Sequence, residues 1–523
     1  MIRLLLFVHR WLGVALSVIF LIWFVSGIVM MYWSYPEIGA GDRLQRAPVL
    51  DPAGIAMPPE QAFAILGRDP DSNAIRLGSF DGRPAYRFNA GGGSSRSAGA
   101  IVFADNGEVL QVVDAGVMDR AAAAWAARPS DEAAKRVVED VDQWTVGSLR
   151  TVRPLFKYSW PDGQQVYVNG NTGEVVQYTT TASRFWAYLG AIPHWLYFTP
   201  LRQHPPQWTA FVVWSSLIGT ITSLVGLVII TWMYSPRKRY RYAGAPTSIP
   251  YRGWKRWHAI IGIFFGVVAT TWAFSGLLSM GPFPIMDRLT ELIVPAAPDG
   301  AASGRRGAGQ SLTVALRGGR ALPLSAYASR APREAIATLA GFDVKELSWT
   351  AFAGEPLYLA TNGGGETRLV PMTGEPRTSV DPGAVMRVVR EALGSNAETR
   401  ILNQYDAYYL DRHRERPLPV VYAYLADAAG TRYYVDPATA SVVQQYSARG
   451  WVNRWLYHGL HSLDFPWLYN YRPLWDIVVI GLMLGGSALC VTSIVMTWRV
   501  LSRKIGVLVR ERFIQPDDDL ALE

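Results

Sequence analysis

The sequence predicts a multi-pass α-helical membrane protein with an internal two-fold repeat and two soluble α+β regions. Half of the residues are hydrophobic, yet the mean hydropathy is only +0.10, so long apolar runs alternate with ordinary soluble sequence. A residue pattern in the first apolar run recurs in mid-chain, which predicts the repeat. Four histidines lie at equivalent positions of that repeat, and an imidazole in or near a bilayer indicates a functional site.

Four apolar runs are long enough to cross a bilayer, which takes about 20 apolar residues. They lie near residues 5–33, 208–233, 259–283 and 476–498. None carries a charged side chain in its central stretch. The first run is too long for the apolar part of a signal peptide, and its pattern recurs uncleaved in mid-chain, so we expect it to be a retained span.

The repeat has two parts with different offsets. His9 and His258 lie in matching runs, 249 residues apart. The same offset relates a set of residues in the first run to a set in the third: Gly13, Trp23, Ser26, Gly27 and Met31 match Gly262, Trp272, Ser275, Gly276 and Met280. His194 and His461 open the similar segments HWLYF and HSLDF, 267 residues apart. We therefore expect parallel repeats related by an axis along the membrane normal.

The basic residues predict the orientation in the membrane. The connection 234–257 carries seven Lys or Arg residues and no acid, so the positive-inside rule assigns it to the cytoplasm. Both chain ends are then cytoplasmic, and the long connections near 36–190 and 284–455 face the other side of the membrane. The net charge of +8 largely reflects this bias, so we expect no nucleic-acid binding.

Each long connection combines helix and strand signals. Strand–turn–strand patterns occur at 154–178 and 419–446, and earlier units end in similar hairpins at 80–88 and 352–359. Predicted helices precede the later hairpins, near 131–140 and 383–394. We expect two small α+β units in each region, and flexible segments at 91–95 and 301–309.

The predicted organisation has eight parts. In chain order they are a first span (1–35), an outward-facing region of two α+β units (36–184), an interfacial segment with the second span (185–235), a basic cytoplasmic loop (236–257), a third span (258–283), a second outward-facing region of two α+β units (284–450), an interfacial segment with the fourth span (451–499) and a cytoplasmic tail (500–523).

The chain resembles the PepSY-associated transmembrane family. The four spans, the HRWLG opening at His9, the His…Gly…Ser-Gly pattern and the helix-then-hairpin units carry the resemblance, which covers nearly the whole chain. It implies PepSY-like periplasmic domains and a place in a bacterial inner membrane. Some members are inner-membrane reductases of ferric siderophores in Gram-negative bacteria, in which membrane histidines hold haem.

The four histidines are candidate haem ligands. Equivalent residues of parallel repeats meet at the same depth, so we expect His9 to face His258 near the cytoplasmic side and His194 to face His461 at the outer interface. Two neutral imidazoles opposed across a ring are the axial ligands of six-coordinate haem b. We predict two such haems, without covalent attachment because no CxxCH motif is present.

The remaining histidines are weaker candidates. His458 lies one turn before His461 and is the alternative outer ligand. His204, in a proline-rich stretch, is expected at the interface. His413, between charged residues of a soluble region, is expected in a solvated loop.

Residues near the four histidines each allow two interpretations. Gly13 and Gly262, one turn from His9 and His258, give a macrocycle room or permit close helix packing. Cations that could meet haem propionates, or anchor the chain at the interface, are Arg10, Lys255 and Arg256. Methionines that could be soft ligands, or core side chains, are Met31 and Met280.

The leading functional hypothesis is a membrane electron-transfer protein, an oxidoreductase of the ferric reductase type. Electrons would come from quinol or a cytoplasmic reductase and reach a periplasmic acceptor, which the family resemblance suggests is a ferric siderophore. No nucleotide-binding motif is present. The alternative is a non-enzymatic membrane-anchored protein that binds a peptide or peptidase. A transporter fits the parallel repeats, but the spans lack midplane charges.

Overall fold

The computed structural model describes residues 1–67, 75–88, 100–281, 312–394, 397–411, 414–427, 429–447 and 450–514. The chain divides into two compact units. The helical unit consists of Met1–Tyr35, Ala182–Asp287 and Trp451–Glu523, and the sheet unit of Pro36–Thr181 and Arg288–Gly450. The predicted flexible segments 91–95 and 301–309, and His413, lie outside the described residues.

Four long helices form the helical unit: α1 (Ile2–Met30), α2 (Pro205–Met233), α3 (Gly253–Ser279) and α4 (Leu474–Ile514). Each is long and apolar enough to cross a membrane, α4 over Leu474–Arg503, in agreement with the four apolar runs of the sequence. α1 packs against α2 and α4, and α3 packs against the same two helices. Their shared core includes Phe24, Trp272 and Cys490.

The other helices are short. The α-helices are Ala40–Arg46, Pro59–Ala64, Ala115–Ala126, Thr181–Leu189, Ala191–Trp195, Thr199–Arg202, Pro332–Ala337, Pro382–Leu393, Leu460–Ser462 and Pro466–Tyr469. The 3₁₀ turns are Pro52–Gly54, Ser130–Glu132, Ser148–Thr151 and Leu324–Tyr327. A π-helix spans Val452–Gly459.

The strands in chain order are β1 (Ile75–Phe80), β2 (Arg83–Phe88), β3 (Ala100–Phe103), β4 (Ala134–Val137), β5 (Leu155–Ser159), β6 (Gln165–Asn169), β7 (Val175–Thr179), β8 (Tyr240–Tyr242), β9 (Ala245–Thr247), β10 (Val344–Phe352), β11 (Glu355–Asn362), β12 (Thr367–Pro371), β13 (Glu398–Leu402), β14 (Val420–Leu425), β15 (Thr431–Asp436) and β16 (Ser441–Tyr446). β8 and β9 form a hairpin between α2 and α3.

Strands from both long connections form one six-stranded sheet, in the order β12-β11-β10-β1-β2-β3. β1 and β10 pair antiparallel, with Leu77 opposite Leu347. Without this pairing each would present an open edge of backbone N–H and C=O groups. The two earlier α+β units, which the sequence suggested as separate, therefore share one sheet.

The two later units each contain a four-stranded antiparallel sheet, β4–β7 and β13–β16. The helix predicted near 383–394 is present as Pro382–Leu393, and it packs on the second sheet. The predicted helix at 131–140 is wrong: residues 134–137 form β4, an exposed edge strand paired with β5. The helix packed on this sheet is Ala115–Ala126, whose first turn is capped by Asp114. Sheet pairing outweighs local helix propensity at 131–140.

Candidate functional site

The four histidines singled out by the repeat lie in two facing pairs in the helical unit. The rings of His9, on α1, and His258, on α3, have centres 6.1 Å apart. The rings of His194 and His461, on two short helices, also have centres 6.1 Å apart. Metal–imidazole bonds of about 2.0–2.1 Å put two coaxial rings on one metal roughly 6 Å apart, centre to centre. Both pairs therefore have the separation that two ligands of one metal need.

Each histidine has a hydrogen bond at Nδ1. In the first pair, Nδ1 of His9 lies 3.0 Å from the carbonyl oxygen of Thr222, and Nδ1 of His258 lies 2.9 Å from Oγ1 of Thr492. In the second pair, the partners are hydroxyls from the long helices. Nδ1 of His194 lies 3.2 Å from Oγ of Ser26, and Nδ1 of His461 lies 3.0 Å from Oγ of Ser275.

The donors and acceptors of these hydrogen bonds determine the tautomer of each imidazole ring. A carbonyl only accepts, so Nδ1 of His9 donates to Thr222, and Nδ1 of His194 donates to the carbonyl of Trp23 at 3.1 Å. The hydroxyls facing the other two rings each donate their proton to a carbonyl of their own helix. Ser275 donates to Trp272 at 3.1 Å and Thr492 to Leu489 at 2.7 Å.

These hydroxyl oxygens can therefore only accept from a histidine. All four rings carry the proton on Nδ1, which leaves the lone pair on Nε2, the form in which an imidazole binds a metal. Burial also lowers the pKa of His194 to about 4, so this ring stays neutral at neutral pH.

Glycines allow the helices to approach the imidazoles closely. A Cβ at Gly226 of α2 would lie 2.7 Å from Cε1 of His9, which is too close for any side chain. A Cβ at Gly27 would lie 3.4 Å from Cε1 of His194, and one at Gly276 would lie 3.9 Å from Cε1 of His461, which are ordinary contacts. The serine of each Ser-Gly step thus supplies a hydroxyl partner, and the glycine lies beside the same ring.

A cavity of about 490 Å³ adjoins the first pair, within the range typical of ligand sites. All four long helices line it, and its walls include His9, His258, Gly13 and Gly262. Most other lining side chains are apolar, in keeping with a site for a largely apolar group.

Two of the three predicted cations belong to this cavity. Arg10 and Lys255 line it, so they could meet the carboxylates of a bound group. Arg256 instead donates to Oγ1 of Thr247 at 3.1 Å, and its guanidinium lies over the ring of Tyr242. We therefore assign Arg256 to the packing of the β8–β9 hairpin.

Several buried polar atoms near the two pairs have no hydrogen-bond partner among the described residues. They are Oγ of Ser17, which lines the cavity, and the indole Nε1 atoms of Trp23 and Trp272. Buried polar groups without partners are rare in proteins and often mark a place for a ligand or water. These atoms are therefore positions that a bound group or water could satisfy.

The structure distinguishes the two candidates for the outer ligand. The ring that faces His194 is that of His461. The His458 side chain is 45% exposed, and its Nδ1 lies 4.0 Å from a carboxylate oxygen of Asp464. His458 belongs to the π-helix, a rare element that often occurs at functional sites.

The remaining sequence candidates lie elsewhere. His204 is exposed just before α2, Met31 is buried at the end of α1, and Met280 caps α3. Neither methionine lines the cavity beside His9 and His258. Three residues now seen at the histidines were missed: Thr222, Gly226 and Thr492. The repeat could not reveal them, because their counterparts at the 267-residue offset are Leu489, Ser493 and Val225.

Four apolar helices and a β-rich soluble unit define the class of the molecule as a multi-span membrane protein. The chain belongs to the family described as PepSY-associated TM region, whose model matches residues 6–499. No curated protein matches the chain.

Proposed function

We propose that the chain is a di-haem b electron-transfer protein of the bacterial inner membrane that reduces a periplasmic acceptor, the ferric iron of a siderophore. The observation that carries this proposal is the arrangement of the histidines. Two pairs of imidazoles each have centres 6.1 Å apart, and every ring is hydrogen-bonded at Nδ1.

The ligand set supports haem over a metal ion bound by protein alone. Each site offers two imidazoles, and no three His, Cys, Asp or Glu residues cluster in the described part of the chain. Two opposed imidazoles complete the coordination of an iron whose other four ligands come from a porphyrin. Gly13 and Gly262 leave space beside His9 and His258, and Arg10 and Lys255 would balance the propionates.

The chain's own residues would fix the position of each group and limit access to it. His9 and His258 would hold one group, and His194 and His461 the other, so each group would be held by two imidazoles of the chain. The apolar walls of the cavity exclude water and stabilise a large hydrophobic ligand. A haem at either pair would supply one-electron chemistry between Fe(III) and Fe(II).

The direction of electron flow follows from the proposed orientation. The basic connection 234–257 supports a cytoplasmic location for the His9–His258 end. A quinol or a cytoplasmic reductase would therefore meet the His9–His258 site, and the acceptor would meet the His194–His461 site. The ferric siderophore comes from the family resemblance, since reduction of its iron to Fe(II) weakens the hold of the chelator.

An absorption spectrum tests the proposal. Protein expressed with ample haem should show a Soret band and, after dithionite, the sharp α and β bands of six-coordinate haem b, with two haems per chain. His9→Ala and His461→Ala should each remove about one haem. The exposed His204 provides the control, because His204→Ala should remove none. Colourless wild-type protein would contradict the proposal and favour the non-enzymatic binding protein.

A further inference from the structure

Three hydroxyl groups lie within hydrogen-bond distance of the histidine rings. We infer that Ser26, Ser275 and Thr492 are positioning residues, which orient the rings of His194, His461 and His258 for metal binding and tune the haem bound there. This inference rests on the proposed function and adds to it a specific role for three side chains of the spans.

The two serines make the same contact at matching positions. Ser26 and Ser275 lie 249 residues apart in the sequence, and they are 2% and 0% exposed. Each directs its oxygen at Nδ1 of a histidine in a short helix outside the spans. Thr492 is 4% exposed and has the equivalent role toward His258.

A buried hydroxyl in an apolar helix has a simpler explanation, which Ser215 illustrates. Serine and threonine often satisfy their proton on a carbonyl one turn earlier in the same helix. Ser215 does this, with its Oγ 2.6 Å from the carbonyl oxygen of Phe211. Such a bond explains how a helix tolerates serine. It does not explain why the oxygens of Ser26 and Ser275 also meet a histidine.

The physical effect of the hydroxyl is twofold. As an acceptor it fixes the ring orientation and makes Nε2 a stronger electron donor to a metal. A stronger donor stabilises Fe(III) more than Fe(II), so it lowers the reduction potential of the haem. Removal of such a partner typically weakens metal binding about 10–100-fold. The potential of the same haem should rise.

The arrangement also predicts which haem responds to each substitution. α1 carries His9 for one site and Ser26 for the other, and α3 carries His258 and Ser275 in the same way. A change at Ser26 or Ser275 should therefore perturb the His194–His461 haem and leave the His9–His258 haem as it was. A change at Thr492 should do the opposite.

The experiment uses full-length protein loaded with haem in lipid nanodiscs. The variants are S26A/S275A, T492V and T492S, and S215A is the control that removes a buried hydroxyl without contact to a histidine. Two properties are measured for each haem: the rate of transfer to excess apomyoglobin, and the midpoint potential with its low-spin EPR signal.

In S26A/S275A one haem should leave roughly tenfold faster or more, with a raised potential and a shifted EPR signal. In T492V the other haem should change, and T492S, which keeps the hydroxyl, should resemble wild type. S215A should leave both haems unchanged. If a serine variant fails to fold, the comparison of T492V with T492S still decides the matter.

Different failures have different meanings. Colourless wild-type protein overturns the proposed function and this inference together. Two haems that bind normally in wild type and do not respond to S26A/S275A or T492V overturn this inference alone. Equal shifts in S215A would also overturn it, because they would reflect a general loosening of the helices.

Discussion

The two histidine pairs have the same separation but different supports. His9 and His258 project from long regular helices, whereas His194 lies on a five-residue helix and His461 on the α-helical turn that continues the π-helix Val452–Gly459. The first pair uses a backbone carbonyl and a threonine as partners, and the second uses the two repeated serines. The same ring separation is therefore supported by different partners in the two pairs, and α1 and α3 contribute residues to both pairs.

The comparison indicates where each pair is vulnerable. The first pair depends on helix packing, because α2 passes so close to His9 that only glycine fits at position 226. The second pair depends on hydrogen bonds to α1 and α3, which hold one ring from a short helix and one from the end of the π-helical segment. Substitutions should therefore act on one pair at a time.

The largest effect is expected from Gly226→Ala. The added Cβ would lie 2.7 Å from Cε1 of His9, so the ring must move or the helices must separate. Overpacking of this kind costs about 1–3 kcal/mol. We expect most of the haem at the His9–His258 site to be lost, as measured by pyridine haemochrome content per chain.

Gly481→Ala is the control for Gly226→Ala. Gly481 also lies in a long helix, α4, but a Cβ there would meet nothing within 4 Å and the residue does not line the cavity, so the haem content should stay at the wild-type value. Equal losses in both variants would mean that an added methyl group anywhere in the long helices, and not the close approach to His9, limits binding.

A smaller effect is expected from Arg10→Gln and Lys255→Gln. Both side chains line the cavity beside the first pair, and a charge-assisted bond to a carboxylate contributes about 1.5–3 kcal/mol. Each variant should release the His9–His258 haem roughly tenfold faster or more to apomyoglobin, since about 1.4 kcal/mol corresponds to a factor of ten. Arg256→Gln should not, because Arg256 bonds to Thr247. Faster release of the other haem would contradict the assignment of these cations.

The smallest expected effect is a pH-dependent change in the stability of the sheet unit. There the ion pair Arg83–Asp105 carries charge, whereas the hydrogen-bond partners of the histidines are uncharged. Hydrogen bonds from Arg83 lower the pKa of the Asp105 carboxyl. The stability that this carboxyl adds to the folded state is therefore fully present above its unfolded pKa of about 3.9. It is lost as the pH falls through the lower pKa of the folded state. The Arg83–Asp105 pair is partly exposed, so we expect it to stabilise the folded state by less than about 1 kcal/mol.

Asp105→Asn should remove that pH dependence. The measurement is the thermal unfolding of the sheet unit in the full chain between pH 5 and 3, followed by circular dichroism. An unchanged pH slope in the variant would mean that the Arg83–Asp105 pair does not stabilise the sheet unit.

Much of the fold could be predicted from the sequence, because the patterns that indicate single helices and strands are local. Four apolar runs located the long helices, and alternating patterns located β5–β7 and β14–β16. The pairing of β1 with β10 could not be read from the sequence, because it joins segments from different connections. The helix expected at 131–140 failed because residues 134–137 pair with β5 as an edge strand.

The candidate site could be predicted from the sequence only in part. The two offsets singled out His9, His258, His194 and His461, which the structure brings into pairs. The offsets also included Ser26 and Ser275 but gave them no role, since a contact with a distant short helix has no local signature. Thr222 contributes a backbone carbonyl, which any residue type could supply.

The central claim is that each histidine pair holds one haem. The most direct measurement is the haem b content of the purified wild-type chain and of two double variants, H9A/H258A and H194A/H461A. Two haems in wild type and one in each double variant are expected, with the spectrum of the remaining haem unchanged. A wild-type chain without haem, or double variants that both retain two, would contradict it.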